Sequence, residues 1–443
     1  MLKEMGHIIK NFDALVGDDA LRKDALTIAE AGYAAVDVGN ALRRTLRIEN
    51  GELVATVPDM PSVKVKLSHD GRGRRVFFVG VGKCAFSAAP VIEALLGEKL
   101  TKGIALDISS PPAGLEKIEA LVGTHPLPSE KNVHATKHIL KLLESCREGD
   151  LVIILVSGGG STLLADPAPG MKASDEAEIF KTLTARGAPI RDLNIVRKHL
   201  SRARGGDLAR AAYPADVLSL IASDVPGDNL EIISSGPTIR DDSTVKEAEA
   251  ILARAGAALP AGASFLETPK ESWYFERVTN ILFLAGRDAL AAMQKKAQEL
   301  GYAPTVAAQP FSGEASALGR SVAERLHAAA PRTALLSAGE STVTGATSAV
   351  KGGRSQELAL AALGEVRDSE LVLPFASDGR DNGAYAGAIA DSATAAHARD
   401  RGLSAETALA RHASTDFFTT SGDILETGYT GTNVSDLIVA LKR

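Results

Sequence analysis

The stretch "SGGGST" at 157–162 sets three consecutive glycines before a Ser–Thr pair, in a chain of 443 residues. A glycine inside a regular element costs roughly 0.5–1 kcal/mol relative to alanine. Three in a row mean that something must come close to this backbone. Amides with no side chain in the way can cradle an oxygen-rich anion, and a helix starting there would add roughly 0.3–1 kcal/mol through its dipole. Gly158, Gly159, Gly160 and the Ser161 hydroxyl are therefore the first phosphate-binding candidates, with Thr162 as a further donor. "SAGEST" at 337–342 resembles this stretch and adds Ser337, Gly339 and Glu340. A tight turn needing positive φ would explain one or two glycines, hardly three.

Two cations stand where only an anion would make them welcome. Lys83 lies in "GVGKCA" (80–85), after one apolar run and before a helical segment. Arg354 follows two glycines in "KGGRSQELALAAL" (351–363), with Ser355 as a plausible N-cap. A positive charge beside a helix N-terminus is unfavourable unless an anion lies between them, and the planar arginine fork suits a carboxylate or a phosphate. "GVGKCA" also matches G-x-G-x-x-A, a loose dinucleotide fingerprint, with Asp107 as the ribose candidate 25 residues beyond Gly82. It is not a Walker loop, because position 77 is Phe and Cys84 stands where Ser or Thr is required.

Carboxylates follow two other apolar runs. "ASDVPGDN" (222–229) supplies Asp224 and Asp228, and "SDGRDN" (377–382) supplies Asp378 and Asp381. An aspartate so placed can orient a hydroxyl for phosphoryl transfer, which asks mainly for positioning. Asp378 and Asp381 are candidates for magnesium, which takes one or two carboxylates plus phosphate oxygens. Turn capping is the plainer role for all of them. The basic segment "NIVRKHLSRARGGDLAR" (194–210) carries Arg197, Lys198, Arg202 and Arg204, of which Arg204 is nearest the glycine pair. It is either a phosphate-reaching helix or a solvated face. His199, and His125 in "THPLP", read as structural.

These residues need strands and helices to hold them. The runs "VFFV" (76–79), "GIAL" (103–106), "LVIILV" (151–156), "VLSLIA" (217–222), "ILFLA" (281–285), "TALLS" (333–337) and "LVLPFA" (371–376) are short and almost wholly apolar. Such runs suit strands buried on both faces in parallel sheets covered by helices. The Ala/Leu/Lys/Glu segments between them are helix material, often ending near a glycine. Most runs end in a small or glycine-rich turn, and the carboxyl ends of such strands line the ligand crevice of open α/β sheets. The likeness of the turns in pairs fits two related halves facing one cleft, or a small vocabulary of strand-end turns. Pro, Gly and Ser interrupt the helical pattern over 257–276, after a helix expected within 241–257, and a boundary is expected there.

Composition narrows the class. With 45% hydrophobic and 23% charged residues the chain is neither disordered nor fibrous. A net charge of −6 argues against a nucleic-acid binder. Two cysteines cannot build a disulfide framework or a four-cysteine zinc site. The first residues lack the uncharged core of a secretory signal. No apolar run approaches the roughly 20 residues that span a bilayer, so a cytoplasmic enzyme with small-molecule partners is expected.

In this order the motifs resemble the glycerate 2-kinase family, the two-domain class with a C-terminal MOFRL domain. The resemblance runs from "GTHPLPSEKN" through "VSGGGSTLL", "LNIVRKHLSRARGG", "SDVPGDNLEIISSGPT" and "GGRSQELAL" to "TGYTGTNVSDL" at 427–437. It implies a Rossmann-like domain over 1–260 and a MOFRL-type α/β domain over 261–443, each with a mainly parallel sheet flanked by helices and the active site between them. It also implies transfer of the γ-phosphoryl group of ATP to the 2-hydroxyl of D-glycerate with a divalent metal such as Mg2+. Lys83 and Arg354 match the family's catalytic basic pair, and Asp224 its aspartate near the substrate. Arg204 and Asp228 become the substrate-binding candidates. Ser355, Arg380, Asn382 and Ser129 depart from the usual pattern, which leaves room for another acceptor. Family members also carry the label hydroxypyruvate reductase, which fits the dinucleotide fingerprint. A homodimer is left open.

Overall fold

The computed structural model describes residues 6–58, 60–69, 72–345 and 352–443. Residues 1–5 and Lys351, which belong to stretches read above, lie outside them. The chain forms two compact units, Val38–Leu284 and the pair of segments Met1–Asp37 and Ala285–Arg443.

The unit Val38–Leu284 contains the strands β1 (Val76–Val81), β2 (Leu100–Asp107), β3 (Ile118–Val122), β4 (Leu151–Val156), β5 (Asp216–Ala222) and β6 (Val278–Leu284), all but β3 built on one of the apolar runs; β3 carries Glu119 and was not expected. All pairs are parallel, in the order β6-β5-β4-β1-β2-β3. That is the doubly wound order, with its reversal point between β1 and β4. Both central strands are buried along their whole length, as runs without a polar position require. Val79, Ile104, Ile154 and Val156 pack against Ile139 and Leu143 of the helix Glu130–Glu144 and Leu208 of the helix Asp207–Ala212.

The boundary expected near 260 is not where the units part. The Pro/Gly stretch closes back onto its own unit, with the Leu266 amide on the His199 carbonyl at 2.9 Å. "ILFLA" then returns as β6 beside β5.

The other unit holds β7 (Ala303–Val306), β8 (Phe311–Glu314), β9 (Thr333–Thr342), β10 (Glu370–Ala376), β11 (Gly387–Ala388), β12 (Ile424–Leu425) and β13 (Asp436–Lys442). Their order is β7-β9-β13-β10-β11-β12, with β8 also on β9. A mainly parallel sheet was expected here, and the sheet is mixed. β7 and β8 run parallel to β9, but β13 lies antiparallel between β9 and β10. The antiparallel strand is the closing run "DLIVALK", whose apolar stretch the sequence reading passed over. The helix Arg354–Leu363 is buried on all sides except its first residue, and Leu358 and Ala362 join Val372 and Ile438 in the core.

Candidate functional site

In the unit Val38–Leu284 the "SGGGST" turn leaves β4 at the strand-order reversal, next to the "GVGK" turn that leaves β1. The two turns differ in one decisive respect. Every amide from Gly82 to Phe86 already has a partner: Leu106 O at 3.1 Å, Gly158 O at 2.9 Å, Ser157 Oγ at 3.1 Å, Gly82 O at 3.0 Å and Asp107 Oδ2 at 3.0 Å, in that order. The amides of Gly158, Gly159 and Ser161 have no partner among the described residues. Gly158 is buried, where an unmatched donor is costly, and clustered backbone amides form an anion-binding concavity. The helix that follows, Gly160–Leu163, is a single turn, so the donors come from the loop amides and not from a helix dipole.

Glycine is needed here for space as well as for freedom. Gly159 has φ +86°, and a Cβ there would lie 3.4 Å from Lys83 Cγ and 3.5 Å from His125 Cδ2. Gly160 could not carry one at all, since it would fall 2.3 Å from Ser234 Oγ. The stem of the half-buried Lys83 therefore runs along the glycine turn. His125, read as structural, also reaches this turn.

"SSGPT" closes the other side. Ser234, Ser235 and Gly236 have φ of 51°, 60° and 56°, three successive left-handed residues of which two are not glycine. Each such serine costs roughly 1–2 kcal/mol, and strain of this kind clusters at functional sites. Ser234 Oγ donates to Ser157 O at 2.7 Å, and Ser235 Oγ meets Ser161 Oγ at 2.9 Å and Asn194 Oδ1 at 2.8 Å. Sequence reading noted "SSGPT" without giving it a role and missed Asn194. Asp224 is half-buried just past β5, the neighbour of β4, and Asp228 sits in the same turn with φ 54°.

Two expectations in this unit give way. Asp107 is fully buried, and its carboxylate also accepts from the Ile108 and Ser109 amides and the Ser109 hydroxyl. It is a cap, with nothing left for a ribose. Arg204 was expected to bind substrate, but its side chain is 0% exposed, with Nη2 2.6 Å from Glu176 and Nη1 donating to Arg197 O at 3.0 Å.

The other unit carries Arg354, and the anions that explain it are internal. Nε and Nη2 of Arg354 donate to Asp436 at 2.5 and 3.2 Å, and Nη1 pairs with Glu340. Burial works against the Arg354 charge, but Asp436 and Glu340 outweigh it and raise the pKa. Burial lifts the Asp436 carboxyl to about 7 against the pull of Arg354. Asp436 stands level with Gly339 and Ala376 because β13 is antiparallel: its first residue lies where its neighbours end. A reading that looks only at the carboxyl ends of strands misses it.

"SAGEST" is not a turn. Its six residues continue β9, and a Cβ on Gly339 would fall 2.2 Å from Phe311 O of the paired strand. The phosphate cradle expected from Ser337, Gly339 and Glu340 is absent, and Glu340 is a carboxylate turned onto Arg354. Asp381 likewise caps the helix Arg354–Leu363, accepting from the Ser355 and Gln356 amides at 2.9 and 2.8 Å and from Gln356 Nε2 at 3.0 Å. Burial raises it to about 6 despite those amides. Its lone pairs do not fit the magnesium role expected of it. Asp378 follows β10 and accepts from the Arg380 amide at 2.9 Å. No group of three or more His, Cys, Asp or Glu side chains able to hold a metal occurs among the described residues.

Comparison with known proteins then bears on this arrangement. Residues 24–266 match the domain of unknown function DUF4147, and residues 333–436 match the MOFRL family. The chain is similar to a glycerate 2-kinase of Pyrococcus horikoshii, 34% identical over 83% of this chain and 87% of that one. A protein of Agrobacterium vitis provisionally named a hydroxypyruvate reductase is 35% identical over 89% of this chain and 93% of its own. The crystal structure of a glycerate kinase from Thermotoga maritima superposes with a TM-score of 0.82 at 30% identity, covering 96% of this chain and 100% of that one.

Proposed function

The chain belongs to the two-domain glycerate 2-kinase family, and we propose that it transfers the γ-phosphoryl group of ATP to the 2-hydroxyl of D-glycerate, releasing ADP and 2-phosphoglycerate. The observation that carries this reading is the set of amides at Gly158, Gly159 and Ser161, without partners among the described residues, beside Lys83. These amides hold the nucleotide phosphates, and Lys83 offsets charge gathering on the transferred group. Asp224 orients the acceptor hydroxyl, with Asp228 supporting the same turn. Asp224 accepts the proton of that hydroxyl as its oxygen bonds to phosphorus and the bond to ADP breaks. Arg354, held in place by Asp436, is the second catalytic cation of this reading.

Asp378 would hold a magnesium ion accompanying the nucleotide, and the ion would supply neutralisation of phosphate charge. No helix among the described residues is long and apolar enough to cross a membrane, and we place the enzyme in the cytoplasm. The test is a panel of hydroxy acids scored for ATP consumption, with phosphorus NMR of the product. D-glycerate should be the preferred acceptor and the 2-phosphate the sole product; phosphorylation at another hydroxyl, or none, contradicts the proposal.

The name of the Agrobacterium vitis relative favours a second reading, reduction of hydroxypyruvate by a nicotinamide cofactor. The engaged amides of Gly82–Phe86 and the capped Asp107 weigh against it. Oxidation of NADH or NADPH by hydroxypyruvate at a rate matching the kinase assay would establish it.

A further inference from the structure

We propose that Arg197 is the receptor for the carboxylate of the hydroxy-acid substrate, an assignment that rests on the kinase reading and names the group that selects its acceptor.

The basic segment after residue 190 presents several cations, and most are spent. Lys198 Nζ lies 2.9 Å from Asp241, Arg202 Nε 2.8 Å from Asp166, Arg204 Nη2 2.6 Å from Glu176, and Arg210 Nη2 2.6 Å from Asp207. Arg197 is different. It is partly buried, yet no carboxylate among the described residues comes within ion-pairing distance of it. Its guanidinium carbon sits 3.7 Å from the centre of the Phe180 ring. Stacking on an aromatic face holds the guanidinium plane while leaving the N–H edges for a planar anion.

The surroundings are positive. Phe180 and Glu176 are four residues apart on the helix Ala173–Ala185, and so share a face. That face gives Arg197 its platform and gives its one nearby negative charge to Arg204. Two desolvated guanidiniums thus share one carboxylate. Burial, and then the Arg204 charge, push the Arg197 pKa down to about 10, with Glu176 opposing. Binding an anion would relieve that cost.

The position on the helix also fits. Asn194 lies one turn before Arg197, on the same face of the helix Ile190–His199. Asn194 bonds Ser235, and Ser235 bonds Ser161 of the glycine turn. From the other side, Arg204 Nη1 donates to the Arg197 carbonyl, and the next amide, Gly205, donates to Ser235 O at 2.8 Å. Arg197 is therefore tied to the phosphate turn by two short covalent and hydrogen-bonded paths within one unit. A hydroxy acid carries its carboxylate one carbon from the reacting oxygen, so a carboxylate receptor belongs close to the phosphoryl group without touching it.

Two measurements on the full-length protein test the assignment. Phenylglyoxal must reach the guanidinium, so peptide mass spectrometry should find the partly buried Arg197 modified ahead of the fully buried Arg204. D-glycerate at ten times its dissociation constant should slow that modification about tenfold, while ADP or the uncharged glyceramide should not. In kinetics, Arg197→Lys and Arg197→Met should raise KM for D-glycerate by about 10- to 100-fold, as loss of a charged bidentate contact would. KM for the nucleotide should stay within about twofold. Calorimetry on the wild type separates the possible failures. If D-glycerate binds and Arg197 is neither protected nor needed for KM, this assignment is wrong and the kinase reading stands. If no hydroxy acid binds, both fall.

Discussion

At the scale of single residues the chemistry rests on a few charges whose partners can be named. Lys83 is the cation alongside open amides, so Lys83→Ala should lower kcat by about 10²- to 10³-fold, the usual cost of one positioned donor. Its circular dichroism spectrum should match the wild type, and a variant keeping more than a tenth of kcat would remove Lys83 from the mechanism. Asp436 makes a prediction in pH. Burial lifts its carboxyl to about 7, so the folded chain keeps a proton that the unfolded chain releases near pH 4. The stability it contributes is full below about 4 and lost as pH rises through about 7. Asp436→Asn should therefore show a smaller drop in melting temperature between pH 5 and 8 than the wild type, and an equal drop would contradict the assignment. Lys83 and Arg354 stand out in the sequence because each sits awkwardly at a helix start, although the charges that hold Arg354 are internal. Asp436 and Asn194 were not, since their roles depend on pairing directions and side-chain contacts that no local motif records.

Two six-residue stretches that look alike became different objects at the scale of elements. "SGGGST" leaves a strand whose neighbours have also ended, so its backbone turns and its amides open. "SAGEST" is paired with β13 as far as Gly339 and with β8 from Gly339 to Thr342, so the same kinds of residue stay extended. Tertiary pairing, not local propensity, decides between them. The glycine turn should then be intolerant of even one methyl group. Gly160→Ala forces a Cβ against Ser234 and should cost about 1–3 kcal/mol in urea unfolding, together with a weaker affinity for ATP. Gly227→Ala provides the comparison, because its Cβ would meet nothing within 4 Å and only its φ of +82° is strained. Equal losses in the two variants would mean that backbone freedom, and not close packing, explains the triple glycine.

The whole molecule shows what apolar runs can and cannot tell. They marked the strands β1, β2, β4, β5, β6, β9 and β10 but neither β3 nor β13, and in the unit Val38–Leu284 parallel pairing follows from burial on both faces. They did not reveal that the first residues complete the other unit. Arg22, on the helix Ala20–Ala35, is 4% exposed and reaches across that unit, with Nε and Nη2 each 2.7 Å from Asp391 and Nη2 2.9 Å from Asp423. An ion pair between residues 369 positions apart leaves no trace in sequence spacing. Arg22→Ala would strand two buried carboxylates and should destabilise the protein by about 3–5 kcal/mol. Differential scanning calorimetry should show that loss in one of two transitions, and an unchanged thermogram would mean that the Arg22 ion pairs contribute nothing to stability. The most direct test of the phosphate turn is a crystal structure with a non-hydrolysable ATP analogue and D-glycerate. Phosphate oxygens should lie within about 2.7–3.2 Å of the Gly158, Gly159 and Ser161 amides. Phosphates seated on the Gly82–Phe86 amides instead, or away from both turns, would contradict it.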